Sequence, residues 1–394
     1  HGLIDFTNPE AVHWYKEKLI KPLLRKGVDV IKVDFGESAP AFFKYAGADG
    51  RDMHNLYALL YNKAAYEAAK EEFGEDKALI WARSAWAGSQ KYPVHWGGDA
   101  GTDFGSLASS VKGCLNLSLS GIPFWSSDIG GFWFESSPEL YIRWLEFGMF
   151  CSHARFHGFY SREPWDFGQQ AVDVYRKYAG LRYRLIPYIY NQALAVREED
   201  TLIHRPVFYD YPSDLNAAGL DTQYLFGKEL MVIPVINEDN SVRIYLPWGQ
   251  WTDFYDDTVE EGGKWMEQVV PLDKIPVYVK ENAIIPIGPE MEYIGQKEDD
   301  RWEIHCYPTE GKGRFCSYEH GFTVEMDAVD DRVKIDCTRT DMNLTFVLHN
   351  IRPAGVQADG QDIGFRMDHK RTYIHMGNRM QDHDIHMVIE KGEQ

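Results

Sequence analysis

The chain has 394 residues, enough for two or three domains. Its 41 basic and 60 acidic residues give a formal net charge of −19, which argues against a nucleic-acid backbone or an anionic membrane as partner. No stretch approaches the roughly 20 apolar residues of a membrane-spanning helix. The five cysteines show no CxxC spacing, so we expect a cytoplasmic protein without disulfides, although an upstream targeting signal would not be visible here.

Helices and strands alternate in the first 202 residues. Asn8 followed by Pro9 predicts the start of a helix that continues to Leu24. Further helices are predicted at about 53–72, 105–118, 138–149 and 168–197, and strands at 28–34, 78–84, 93–96, 122–125 and 150–155. Polar clusters follow the strands, which favours a (β/α)8 barrel over an open doubly wound sheet. A barrel of this kind has eight strands, and the residues before the first of these five supply only a helix. We therefore expect residues 1–202 to be the C-terminal part of such a barrel.

The pattern changes after residue 202 to short strands separated by Gly and Asp turns. Regular short strands of this kind predict antiparallel sandwiches. We therefore expect an α/β domain followed by two antiparallel β-sandwich domains, a proximal one at 203–282 and a distal one at 283–394.

Two carboxylates at strand ends are the candidate catalytic groups. Asp34 ends a buried-strand pattern, and the period of two places Lys32 on its face of the strand. A neighbouring cation favours the ionised form, as a nucleophile requires. Asp99 follows Trp96 and two glycines, and an apolar wall of this kind suits a general acid. The alternatives are a structural acid at position 34 and a helix-capping carboxylate at position 99.

Other polar and aromatic residues at the strand ends could bind a sugar. Arg83, Asp128 and His157 offer hydrogen bonds to hydroxyl groups, although each alone is more often a salt-bridge residue. Phe35, Trp96 and Trp125 could stack on sugar rings, and core packing explains each of them equally well.

No cofactor and no metal site are predicted. There is no P-loop and no dinucleotide-binding glycine pattern. Two histidine-containing segments have spacings that metal sites use, His153 with His157 and Asp382–His386, but neither is on a helix.

Several of these motifs together resemble glycoside hydrolase family 31, the α-glucosidase and α-xylosidase family. The match extends over nearly the whole chain and is strongest from residue 1 to about 235. The segments that resemble the family are Phe6–Pro9, Lys32–Glu37, Ala82–Ser84, His95–Asp99, Ser127–Phe132 and Arg155–Gly158. The resemblance implies that Asp34 is the nucleophile, Asp99 the acid/base, and Arg83, Asp128, Phe132 and His157 part of the substrate site.

The resemblance further implies an exo-acting, retaining α-glycosidase that works by double displacement. Retention requires carboxyl groups roughly 5–5.5 Å apart. Lys32 and Phe35 stand where many α-glucosidases have Trp and Met, which favours the α-xylosidase branch and non-reducing α-xylosyl units as substrate. An α-glucosidase or an α-glycosyl transferase of the same family remains an alternative. A non-catalytic carbohydrate-binding subunit is less favoured, because a binding protein needs no nucleophile.

The family places a β-sandwich and the first barrel strands ahead of the segment that matches position 1. A barrel without those strands exposes sheet edges and an apolar interior. We therefore expect an intimate partner that supplies the N-terminal half of the enzyme, as a second chain, and a homo-oligomer remains possible.

Overall fold

A computed structural model describes residues 2–381 and 383–392, which form an α/β part followed by β-rich parts, as predicted. Asn8 caps the first helix by accepting a hydrogen bond from the backbone N–H of Glu10. The helices are α1 Pro9–Trp14, the π-helical stretch Tyr15–Ile20, α2 Lys21–Leu24, α3 Gly50–Phe73, α4 Phe104–Leu119, α5 Pro138–Met149, α6 Gln169–Arg184, α7 Ile186–Glu199 and α8 Val207–Asp210. In the described part of the chain, no helix is both long and apolar enough to cross a membrane.

The helix predicted at 168–197 is divided in two. Helix α6 ends at Arg184, and α7 begins at Ile186 with Pro187 in its first turn. A proline has no N–H to donate to the preceding turn, so the chain starts a new helix there. The break lies next to the loop of residue 288, because the N–H of Gly288 donates to the carbonyl of Arg184 at 2.8 Å.

The α/β part contains a parallel sheet of four strands that pair in chain order, β1 Ile31–Val33, β2 Ile80–Ala82, β3 Val94–Trp96 and β4 Phe124–Ser126. A further parallel pair joins β5 Asp128–Ile129 to β6 Arg155–Phe156. The last strand starts later than the predicted 150–155, because Phe150 turns back and its N–H donates to the carbonyl of Phe147. Strand order places the C-terminal ends of β1 to β4 side by side at one edge, where Asp34, Arg83 and Asp99 follow.

The next β-rich part is a six-stranded antiparallel sheet in the order β12-β11-β14-β9-β8-β7, with a separate pair β10 and β13. Its strands are β7 His204–Pro206, β8 Tyr224–Phe226, β9 Leu230–Val232, β10 Ser241–Leu246, β11 Gln250–Asp253, β12 Val259–Glu261, β13 Lys264–Val269 and β14 Val277–Lys280.

The last β-rich part has two sheets around one buried cluster, in the orders β15-β16-β20-β24-β23 and β17-β18-β19-β25-β21-β22. Its strands are β15 Ile284–Ile287, β16 Arg301–Cys306, β17 Gly311–Cys316, β18 Thr323–Val329, β19 Arg332–Cys337, β20 Asn343–His349, β21 Pro353–Ala358, β22 Gln361–Asp362, β23 Arg366–Asp368, β24 Arg371–His375 and β25 Ile385–Lys391. Buried and exposed residues alternate along β19, as a strand with one face on a core requires. The pair β16 and β20 is parallel, so the expectation of purely antiparallel sheets was wrong there.

One buried cluster extends across the predicted boundary at residue 202. It packs Trp125 and Trp144 of the α/β part with Ile203, Tyr224 and Val277 of the following sheet. Because these residues share one core, the two parts hold each other in place. The boundaries at 202 and 282 stay predictions.

Candidate active site

The chain turns sharply directly after Asp34. Phe35 has φ +60° and Gly36 has φ +104°, so two successive residues adopt the left-handed region. The N–H of Phe35 donates to Asp34 Oδ1 at 2.8 Å, and Ser84 Oγ donates to the carbonyl of Phe35 at 2.8 Å. A left-handed Phe is strained, and strain of this kind concentrates at functional sites. The turn fixes the Asp34 carboxylate at the open end of β1.

Arg83 connects the two candidate catalytic carboxylates. Its Nη1 lies 3.0 Å from Asp34 Oδ1 and 3.4 Å from Asp99 Oδ2, while Nη2 donates to Glu37 Oε1 at 2.6 Å. The two Asp oxygens therefore lie at most about 6.4 Å apart, the sum of the two distances to Nη1. Inverting glycosidases hold their carboxyl groups about 6.5–9.5 Å apart and retaining ones about 5–5.5 Å.

Lys32 lies on the same side of β1 as Asp34, as the period of two predicts. Its Nζ is 3.6 Å from Asp34 Oδ2 and 4.3 Å from the centre of the Trp96 ring. Phe35 is 61% exposed, and the guanidinium of Arg83 lies 4.1 Å from its ring centre. The site thus places two cations and one open aromatic ring around Asp34.

A buried ion pair of Asp128 and Arg155 lies beneath these groups. Asp128 is fully buried, and burial raises the pKa of its carboxyl against the opposing effect of Arg155. The Arg155 guanidinium lies 4.7 Å from the ring centre of Trp81 and 5.5 Å from that of Trp96. Among the described residues, Asp128 Oδ2 has no hydrogen-bond partner, and this oxygen is itself buried.

His157 lies at the side of the site. Burial, and then the nearby Arg155 charge, lower the pKa of His157, so the neutral imidazole is favoured. Its ring centre is 5.6 Å from that of Phe132. The structure therefore brings together Lys32, Asp34, Phe35, Arg83, Asp99, Asp128, Phe132 and His157 at one end of the sheet.

Trp96 and Trp125, which we expected as stacking walls, are each only 1% exposed. Neither ring offers an open face in this structure, since Trp96 lies under Lys32 and Trp125 packs on the core. Trp125 also explains Gly97, because a Cβ at that position would lie 2.8 Å from Trp125 Cζ2. Both tryptophans support the site from below.

Sequence reasoning did not name Glu37 and Arg155 as site residues. Both lie inside motifs that the sequence does show, Lys32–Glu37 and Arg155–Gly158. Their positions could have indicated them, because Glu37 is three residues from Asp34 and Arg155 is two residues from His157. The contacts of Glu37 with Arg83 and of Arg155 with Asp128 join distant segments, so spacing alone does not reveal them.

The two histidine segments considered for metal binding do not converge on a common point. His153 is half-buried beside Trp81, and burial lowers its pKa to about 4. Asp382 lies outside the described residues. His383 contacts Asp359, whereas His386 contacts Asp336.

Comparison with known proteins finds two matching family profiles. Residues 1–192 match the glycosyl hydrolases family 31 TIM-barrel domain, and residues 200–285 match the glycosyl hydrolase family 31 C-terminal domain. An α-xylosidase of Emericella nidulans is 41% identical over 304 residues, which cover 74% of this chain and 39% of that protein. Alpha-glucosidase 2 of Bacillus thermoamyloliquefaciens is 29% identical over 350 residues, which cover 82% of this chain and 44% of that protein.

A solved structure, the cycloalternan-forming enzyme of Listeria monocytogenes in complex with a pentasaccharide, superposes with a TM-score of 0.91 at 27% sequence identity. The superposition covers 98% of this chain and 40% of that enzyme. The chain thus spans about two fifths of the length of the relatives that it matches.

Proposed function

Because the chain belongs to glycoside hydrolase family 31, we propose that it contains the two catalytic carboxylates of an exo-acting, retaining α-glycosidase, specifically an α-xylosidase. The observation that supports this most directly is the shared contact of Arg83 Nη1 with Asp34 and Asp99. It keeps one oxygen of Asp34 within about 6.4 Å of one oxygen of Asp99, an upper limit that is compatible with the separation of about 5–5.5 Å in retaining enzymes.

In the proposed reaction, Asp34 attacks the anomeric carbon while Asp99 protonates the departing glycosidic oxygen. A covalent glycosyl-enzyme forms, and Asp99 then removes a proton from the water that releases the sugar. Lys32 Nζ and Arg83 Nη1 lie 3.6 Å and 3.0 Å from the Asp34 carboxylate and hold it in position for the attack. His157 offers a neutral imidazole to sugar hydroxyls, and the buried Asp128 holds the neighbouring Arg155 through an ion pair.

The preference for an α-xyloside rests on Lys32, Phe35 and the relatives. The α-xylosidase of Emericella nidulans is 41% identical, against 29% for the Bacillus α-glucosidase. Lys32 and Phe35 lie directly beside Asp34, so a sugar that Asp34 attacks would lie next to both side chains. An α-glucosidase and a transferase are the alternatives within the family.

We further propose that β1, β2, β3, β4 and β6 are five of the eight strands of a (β/α)8 barrel, forming its C-terminal part, and that two β-sandwiches follow. Among the described residues no strand pairs with the outer edge of β1, and apolar side chains directly before this strand are exposed, with Val28 at 37% and Val30 at 39%. Strands from the N-terminal half of a longer enzyme would cover this edge. A stable, monodisperse 45 kDa species in size exclusion with mass analysis would contradict that proposal.

The function is tested with the longer enzyme that contains this chain, using p-nitrophenyl α-xyloside and the corresponding α-glucoside. We expect higher kcat/KM on the xyloside, and loss of activity on both in Asp34→Ala. An NMR spectrum recorded early in the reaction should show the α-anomer of the released sugar first. Asp52→Ala, a helix-surface aspartate in α3, is the matched control. Unchanged activity in Asp34→Ala, or the β-anomer as first product, would refute the assignment.

A further inference from the structure

A group of exposed aromatic side chains lies beside the Asp99 loop and has no part in the reaction described above. Trp133, Phe134 and Phe159 are 48%, 71% and 69% exposed. Together with Phe132 we call them the aromatic rim. The ring centres of Phe132 and Trp133 are 4.9 Å apart, and Phe132 is the member that contacts His157. The rim therefore starts at the wall of the site and extends away from it.

Backbone hydrogen bonds join the rim to the segment that follows Asp99. The N–H of Phe132 donates to the carbonyl of Ala100 at 2.9 Å, and that of Phe134 donates to Thr102 Oγ1 at 3.0 Å. The N–H of Phe159 donates to the carbonyl of Phe132 at 2.8 Å. Movement of the rim relative to the Asp99 loop would break these bonds.

Arg162 holds the rim loop from below. This arginine is only 4% exposed, and it donates to the carbonyls of Gly131 at 2.8 Å and Phe134 at 2.6 Å. Gly131 has φ +77°, and a Cβ there would lie 2.5 Å from the carbonyl oxygen of Gly101. The loop is thus in close backbone contact with the Asp99 loop. Rings on an ordered loop bind a partner at a lower entropic cost than rings on a mobile loop.

The place of the rim relative to Asp99 indicates what it binds. An acid/base protonates the oxygen of the leaving group, so the leaving group must lie on the Asp99 side of the cleaved bond. Exposed apolar patches next to a site mark ligand-binding surfaces. The apolar faces of neutral sugar rings stack on aromatic rings of this kind.

We propose that the aromatic rim is the subsite for the sugar units of the leaving group, with Trp133 as its main contact. This inference rests on the proposed function. It identifies the substrate as an α-glycosylated oligosaccharide rather than a glycoside with a small leaving group. The rim residues Phe132, Trp133, Phe134 and Phe159 have no charge, which fits the apolar faces of neutral sugar rings.

The test compares two substrates in the longer enzyme that contains this chain. One is α-xylosyl fluoride, whose leaving group has no sugar, and the other is an α-xylosylated gluco-oligosaccharide. If p-nitrophenyl substrates show that the enzyme prefers glucosides, the matching glucosyl pair replaces them. We expect Trp133→Ala to lower kcat/KM on the oligosaccharide about tenfold more than on the fluoride, as loss of one apolar contact does. Trp133→Phe should recover most of that difference.

Trp248→Ala is the control, since Trp248 is 78% exposed in the turn between β10 and β11. In this variant the ratio of kcat/KM on the oligosaccharide to kcat/KM on the fluoride should equal that of the wild type. Equal effects of Trp133→Ala on both substrates, or no effect on either, would overturn the subsite. A wild-type enzyme that cleaves neither substrate would overturn the proposed function and the subsite with it. Normal fluoride hydrolysis without a selective effect would overturn the subsite alone.

Discussion

Arg83 offers the sharpest test of how the site is organised. Its two terminal nitrogens contact Asp34, Asp99 and Glu37 at 3.0, 3.4 and 2.6 Å. Arg83→Lys keeps the positive charge but replaces a planar fork by a single ammonium group, which cannot reach all three carboxylates in this geometry. If Arg83 positions the carboxylates, this change should lower kcat while KM changes little.

The magnitude follows from the geometry. A displacement of about 1 Å at a catalytic group costs roughly 100-fold in rate, equivalent to about 2.7 kcal/mol of activation free energy. Arg83 Nη1 joins Asp34 and Asp99, so loss of this shared contact removes a restraint on their separation. We therefore expect kcat to fall about 100-fold in Arg83→Lys. In Arg83→Met the fall should be larger, since three neighbouring carboxylates then share only the charge of Lys32.

The assay is steady-state kinetics on an α-xyloside with a good leaving group, together with thermal unfolding of each variant. Arg197→Lys is the matched control, because the Arg197 side chain is 85% exposed at the end of α7. A raised KM with unchanged kcat in Arg83→Lys would mean that Arg83 only binds substrate, and the reasoning from its carboxylate contacts would be wrong.

Two further predictions concern stability. Gly36→Ala should lower the free energy of unfolding by about 2–4 kcal/mol, because its φ is +104° and a Cβ would lie 2.6 Å from Ser84 Oγ. Gly74→Ala, at φ +85° with open space around it, should lower the free energy of unfolding by only about 1–2 kcal/mol. If chemical denaturation gives the same loss for both variants, the contact with Ser84 does not explain the effect at Gly36. Burial lowers the pKa of His204 to about 3, so the unfolded chain binds more protons than the folded chain below the usual pKa of about 6.5. Stability should therefore fall as pH drops from about 6.5 towards 3, by about 1.4 kcal/mol per unit for this residue, and an unchanged pH dependence in His204→Gln would contradict this.

Much of the fold was predictable because its signals are local. The cap at Asn8 and the helical pattern of 53–72 depend on residues within a few turns, and both are confirmed. Weaker signals failed where a neighbouring element decided the outcome. Four of the strands from Tyr224 to Val269, namely β8, β11, β12 and β13, were not predicted. Strand β12, for example, is short and largely exposed, and it has little apolar alternation.

The order of the carboxylates along the chain, and the placement of Lys32 and Asp34 on one face, follow from the sequence, because strand period and strand ends are properties of neighbouring residues. Their roles stay predictions. Only the tertiary structure decides that Arg83 contacts both Asp34 and Asp99, and that Trp96 is buried. Those contacts join segments far apart in the chain, and burial depends on every element that packs around a side chain, which no local pattern contains.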